Sequence, residues 1–129
     1  MSTTTTEILA LDVPCDSDAP GVVRAAFGRL DSLGTAIGDV KLLSSELVTN
    51  AVLHSGCLGN HTLAVRATRT EDRMTISVHD PGLSGQYAVP RAAGERGGWG
   101  LSVVVARLAA RWGSQRNGGY RVWAELQVA

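Results

Sequence analysis

The sequence is poor in rings: Phe, Trp and Tyr together make up 5% of 129 residues. So few aromatics leave no evident interface stripe. It is also poor in cysteine. Cys15 and Cys57 stand alone and form no metal or redox motif, which predicts a reduced, cytoplasmic protein. Net charge is absent as well, with 12 basic and 12 acidic residues. A nucleic-acid partner held by overall charge is therefore not expected. No apolar run approaches the roughly 18–20 residues of a membrane span. The first residues, Met1-Ser2-Thr3-Thr4-Thr5-Thr6-Glu7, lack the basic stretch and apolar core of a signal peptide. There is no internal repeat and no linker. The length suits a single domain spanning residues 1–129, whose regulation would come from partners.

What is present is a 44% hydrophobic chain with 15 glycines and an uneven charge distribution. Residues 1–65 carry three basic residues against seven acids, and residues 66–129 carry nine arginines against five acids. The excess in the second half fits either a local anion site or a solvated surface. Residues 8–13 read as a strand stopped by Pro14. Ser17, Asp18 and Pro20 mark a helix start, and Val22, Val23, Ala26, Phe27, Leu30 and Leu33 form its stripe, closed by Gly34. A second helix runs over about residues 36–54. Leu63, Val65 and Ala67, then Met74, Ile76 and Val78, alternate with polar or smaller residues, predicting a hairpin around Thr70-Glu71-Asp72. Residues 81–98 have no clean period and read as a long loop. A third helix starts near Gly98 and carries Leu101, Val104, Val105, Leu108 and Trp112. Two final strands flank Asn117-Gly118-Gly119. The order β-α-α-β-β-α-β-β, with strands apolar on one face, predicts an α+β two-layer sandwich. Its sheet is mixed, mostly antiparallel, with helices on one face.

Three constellations carry chemistry. Glu46 and Asn50, four residues apart on the second helix, share a face with His54, among Leu42, Leu43, Leu47 and Leu53. Polar groups aimed at a core need partners, because leaving them unpaired costs about 1–3 kcal/mol each. Either they form an internal hydrogen-bond pair, or they mark the edge of the stripe, or they face a ligand. Asp80 shares the inward face of Met74, Ile76 and Val78, and Pro81-Gly82 ends that strand. It is either a turn acid or an acceptor for an amino group in an apolar pocket. Gly97-Gly98-Trp99-Gly100-Leu101 opens a helix. Glycines there either make a plain flexible loop or turn backbone N–H groups toward an anion. Arg91 and Arg96, in the preceding loop, are either solvated or phosphate-facing.

Taken together these residues resemble the GHKL ATP-binding fold of histidine kinases, type II topoisomerases, Hsp90 and MutL. The closer resemblance is to its stand-alone branch, the bacterial anti-sigma-factor serine/threonine kinases. Leu43-Ser44-Ser45-Glu46-Leu47-Val48-Thr49-Asn50-Ala51-Val52-Leu53-His54-Ser55 looks like the N box of that branch. Asp80-Pro81-Gly82 resembles its D-x-G box and Gly98-Trp99-Gly100-Leu101 its G-x-G-L box. The resemblance implies Mg²⁺ bound through Asn50 and a catalytic base at Glu46. It implies recognition of the adenine amino group by Asp80, close approach of the base over Gly82, and phosphate contacts from Gly98, Gly100 and Leu101. Arg96 joins the nucleotide-binding set, and residues 83–97 become a lid. The threonine that the family often places at the start of the last strand is missing. Tyr120, inward-facing in that segment, is the residue that would stand in for it. The implied activity is a Mg-ATP-dependent protein kinase that phosphorylates a small anti-anti-sigma-type partner and alternately binds a sigma factor. The alternatives are an ATP-binding interaction module with little or no turnover, and a scaffold that has lost nucleotide binding. Relatives in this branch are often homodimers.

Overall fold

The computed structural model describes residues 4–81, 99–116 and 118–128. Five strands form one sheet: Thr6–Pro14 (β1), Thr62–Arg69 (β2), Arg73–Asp80 (β3), Arg111–Arg116 (β4) and Tyr120–Gln127 (β5). Their spatial order is β1-β2-β3-β5-β4 and every pairing is antiparallel. The helices are Ala19–Gly28 (α1), Ile37–His54 (α2) and Trp99–Leu108 (α3). The α+β sandwich read from the sequence is therefore present, and among the described residues no strand pairs parallel.

Period-two alternation builds the inner face. Val65, Val78 and Val122 stand opposite one another across β2, β3 and β5, as do Ala67, Ile76 and Ala124. All six are fully buried. The helices cover that face: α1 packs on α2, and α2 on β3, β5 and α3. α1 contributes Ala19, Val23 and Phe27 at a spacing of four. α2 contributes Val40, Leu43, Leu47, Val48 and Ala51. Full burial of a side chain such as Phe27 or Leu47 is worth about 1.5–3 kcal/mol.

Several expected boundaries shift. α1 stops at Gly28 instead of running through Leu33. Arg29 and Leu30 donate backbone bonds to Ala26 and Phe27, three residues back, and tighten the last turn. A 3-10 segment, Asp31–Ala36, follows and still buries Leu33. Gly34 takes φ 55° inside it, where a side chain would be strained. Val22 lies off the buried stripe, 47% exposed. Trp112 belongs to β4 and not to the third helix: Ala110 N–H donates to the Glu125 carbonyl at 2.7 Å, drawing the chain into the sheet just after α3.

Cys15 and Cys57 are joined by a disulfide with a Cα–Cα distance of 6.1 Å, which corrects the expectation of two unlinked thiols. Topology brings them together. Pro14 pairs with Thr62, and Cys15 N–H donates to the His61 carbonyl at 3.0 Å, so the end of β1 lies beside the exit from α2. Among the described residues no helix is long and apolar enough to cross a membrane.

Candidate functional site

The site begins on α2. Asn50 is 5% exposed and lies on the buried side of the helix, while Glu46, one turn earlier, is half-buried. Ser44 and Ser45 are buried beside them, and each hydroxyl donates to a backbone carbonyl three residues back, Lys41 at 3.1 Å and Leu42 at 2.9 Å. Those serines are satisfied within the helix and demand nothing from the core. Asn50 is different. Among the described residues its Nδ2 is buried with no hydrogen-bond partner. Buried amide groups are nearly always bonded, so this one is set to meet a ligand or solvent. It makes no hydrogen bond to Glu46, which removes the internal pair and leaves the edge of the stripe or a ligand. Leu42 and Leu53 are 45% and 68% exposed, and His54 is exposed, so the outer part of the expected apolar arc faces solvent.

Asp80 closes β3, the central strand, at 2% exposure. It faces the side of the sheet that α2 covers, as its alternation with Met74, Ile76 and Val78 requires. Its register partner on β5 is Tyr120, which is 6% exposed. The Tyr120 hydroxyl donates to Ser114 Oγ at 2.9 Å, and the Arg116 guanidinium stands 5.4 Å from the Tyr120 ring centroid. The hydroxyl of Tyr120, the expected stand-in for the missing threonine, thus engages Ser114 on β4. The neighbouring Gly119 is fixed by sterics, which the sequence did not reveal. A Cβ there would collide with the Asp80 carbonyl oxygen and lie 2.9 Å from His79 Nε2. The close approach of β5 beneath Asp80 requires the absence of a side chain.

Gly100 and Leu101 lie in the first turn of α3, whose leading N–H groups have no partner within the helix. Gly82, Arg91, Arg96, Gly98 and the expected lid, residues 83–97, lie outside the described residues. The charge excess of the second half has a partial account. Arg66 pairs with Asp12 at 3.0 Å and Arg73 with Glu125 at 2.8 Å, while Arg111 stands 5.8 Å from the Trp123 ring centroid. All three lie on the sheet face away from the helices, the side expected of a solvated surface. Arg121 lies on that same face, and burial pushes its guanidinium below its ordinary pKa. Among the described residues no group of three or more His, Cys, Asp or Glu side chains could hold a metal. An open cavity bounded by Thr6, Ile8, Arg69 and Thr70 sits at the end of the sheet opposite Asp80 and takes no part in this site.

The arrangement is one acid and one amide held on two elements around the same core. Asp80 can accept a hydrogen bond from an amino group. Asn50 can offer its amide oxygen to a cation or its nitrogen to an oxygen. A comparison of the chain with curated proteins found no match. The family model for histidine kinase-like ATPase domains matches residues 21–125, most of the chain and all of the elements just described except β1, the start of α1 and the end of β5. The chain therefore belongs to the histidine kinase-like ATPase domains, an ATP-binding family.

Proposed function

We propose that this domain is a serine/threonine protein kinase of the anti-sigma-factor type, cytoplasmic, acting on a small anti-anti-sigma-type partner and alternately binding a sigma factor. The observation that carries the reading is the presence of both Glu46 and Asn50, one turn apart on α2, with the buried Asn50 amide nitrogen left unbonded. The orphaned atom is the amide nitrogen, a donor suited to a phosphate or water oxygen. The amide oxygen on the same group would be the ligand to Mg²⁺, which takes neutral oxygen ligands and keeps several waters. Asn50 would hold that ion, and the ion would neutralise phosphate charge. Asp80 would accept the adenine amino group, and the N-terminal end of α3 would face the phosphates. Glu46 would take the proton from the partner's serine or threonine hydroxyl. That oxygen would bond to the γ-phosphorus of ATP as the bond to the bridging oxygen breaks, leaving ADP and a phosphoprotein.

Transfer of radiolabelled phosphate from ATP to an anti-anti-sigma-type protein tests the reading. Wild-type transfer is expected to fall by about a hundredfold or more in Glu46→Ala, with ATP affinity retained. Tight ATP binding without transfer to any such partner, together with a partner affinity that ATP changes, would instead support a nucleotide-gated interaction module.

A further inference from the structure

The Cys15–Cys57 bond lies where it can act on the ATP site. Cys15 directly follows β1, and Cys57 comes three residues after the end of α2, the helix that carries Glu46 and Asn50. A short chain of contacts joins the cystine to Asn50. Ser55 Oγ donates to Cys57 Sγ at 2.7 Å and accepts from Cys57 N–H at 3.1 Å. Ser55 N–H in turn donates to the carbonyl of Ala51 at 3.0 Å, the residue next to Asn50. Cys57 Sγ itself lies 4.0 Å from that carbonyl. The remaining hold on this exit is a short loop, in which Leu58 N–H donates to His61 Nδ1 at 2.9 Å and His61 N–H to the Leu58 carbonyl at 2.8 Å.

The fold does not need this bond for want of a core. Buried apolar residues come from all three helices and from β1, β2, β3 and β5, unlike the small scaffolds that depend on disulfides. Both cysteines are buried; Cys57 is the slightly more exposed residue, 8% against 4%, and it is flanked by the exposed Gly56 and Leu58. The hydroxyl aimed at Cys57 Sγ stabilises a thiolate there.

We propose that Cys15–Cys57 is a reversible thiol–disulfide site whose oxidised form locks the end of α2 and raises the affinity for ATP. This rests on the assignment of Asn50 to the nucleotide site. The reductant is an external dithiol. One of its thiolates attacks Cys57 Sγ, the Cys57–Cys15 bond breaks, and the Cys15 thiolate takes a proton. The second thiolate of the reductant then attacks its own sulfur in the mixed disulfide and releases Cys57, which takes a second proton. Two electrons pass to the protein, and the dithiol leaves as a cyclic disulfide.

The test uses the full chain under native conditions with dithiothreitol or oxidised glutathione. Maleimide mass shift counts thiols, calorimetry with Mg-ATP reads affinity, and hydrogen exchange reads the amides of the last turn of α2. Reduction is expected to expose two thiols, weaken ATP binding about fivefold or more, and lower protection of that turn. Reoxidation reverses all three, and Cys15→Ser and Cys57→Ser behave as the reduced form under both conditions. A bond that resists excess dithiol in the folded protein, sulfurs that do not pair on oxidation, or equal ATP affinity in the two forms would overturn the proposal. If the serine variants do not fold, the wild-type pair of states still decides. Loss of ATP binding in both forms overturns the nucleotide reading instead; unchanged α2 protection then overturns the lock as well.

Discussion

A carboxylate in a closed pocket reads the edge of a base by its hydrogen-bond polarity. Asp80, 2% exposed, can accept from the adenine amino group but is repelled by the carbonyl that guanine carries at the same position. Asp80→Ala is expected to weaken ATP binding by more than tenfold, and wild-type binding to favour ATP over GTP, both read by calorimetry. Asn50→Ala is expected to abolish the dependence of that binding on Mg²⁺. Gly119 makes a separate demand. Gly119→Ala must push β5 off the Asp80 carbonyl, and urea unfolding is expected to show a loss of about 1–3 kcal/mol. Sequence reasoning found Asn50 and Asp80 because polar residues on apolar faces stand out against period 3.6 and period 2. Gly119 escaped because a glycine before a strand looks like any turn glycine until the approaching backbone is known.

At the scale of elements, α2 carries both the chemistry and the core. Leu47 sits between Glu46 and Asn50 in sequence and is fully buried. Leu47→Ala is expected to cost about 2–5 kcal/mol in chemical denaturation, with a matching fall in Tm, since the cavity opens where α2 packs on the sheet. The strands and the long helix α2 were legible because their apolar periods are clean. The errors fell at junctions. Leu30 and Leu33 continue a helical period, yet three-residue bonds after Phe27 convert the chain to a 3-10 turn while Leu33 stays buried. Trp112 fits the helical stripe of Leu101, Val104, Val105 and Leu108 equally well. Only its pairing with Ala124 assigns it to β4. Period alone does not distinguish a last helical turn from the first residue of an edge strand.

At the scale of the molecule, the antiparallel order and the disulfide are properties of topology that spacing does not encode. Cys15 and Cys57 are 42 residues apart, and nothing local links them. Closing a loop of that size stabilises a fold by about 4 kcal/mol in the chain-entropy account. Reduction is therefore expected to lower Tm by roughly 10–20 °C, measured by calorimetry with and without dithiothreitol. The strand order has a consequence for the timing of folding. Asp80 lies one residue beyond the Ala64–His79 end of the β2–β3 hairpin ladder, and its register partner on β5, Tyr120, comes 40 residues later. The hairpin closes cheaply, and the β3–β5 ladder must bear the larger loop entropy. The strand that ends in Asp80 is thus paired early, and the residue opposite the acid, Tyr120, arrives late. On the proposed site ATP has no complete pocket before that final ladder forms, so nucleotide is expected to slow unfolding far more than it speeds folding.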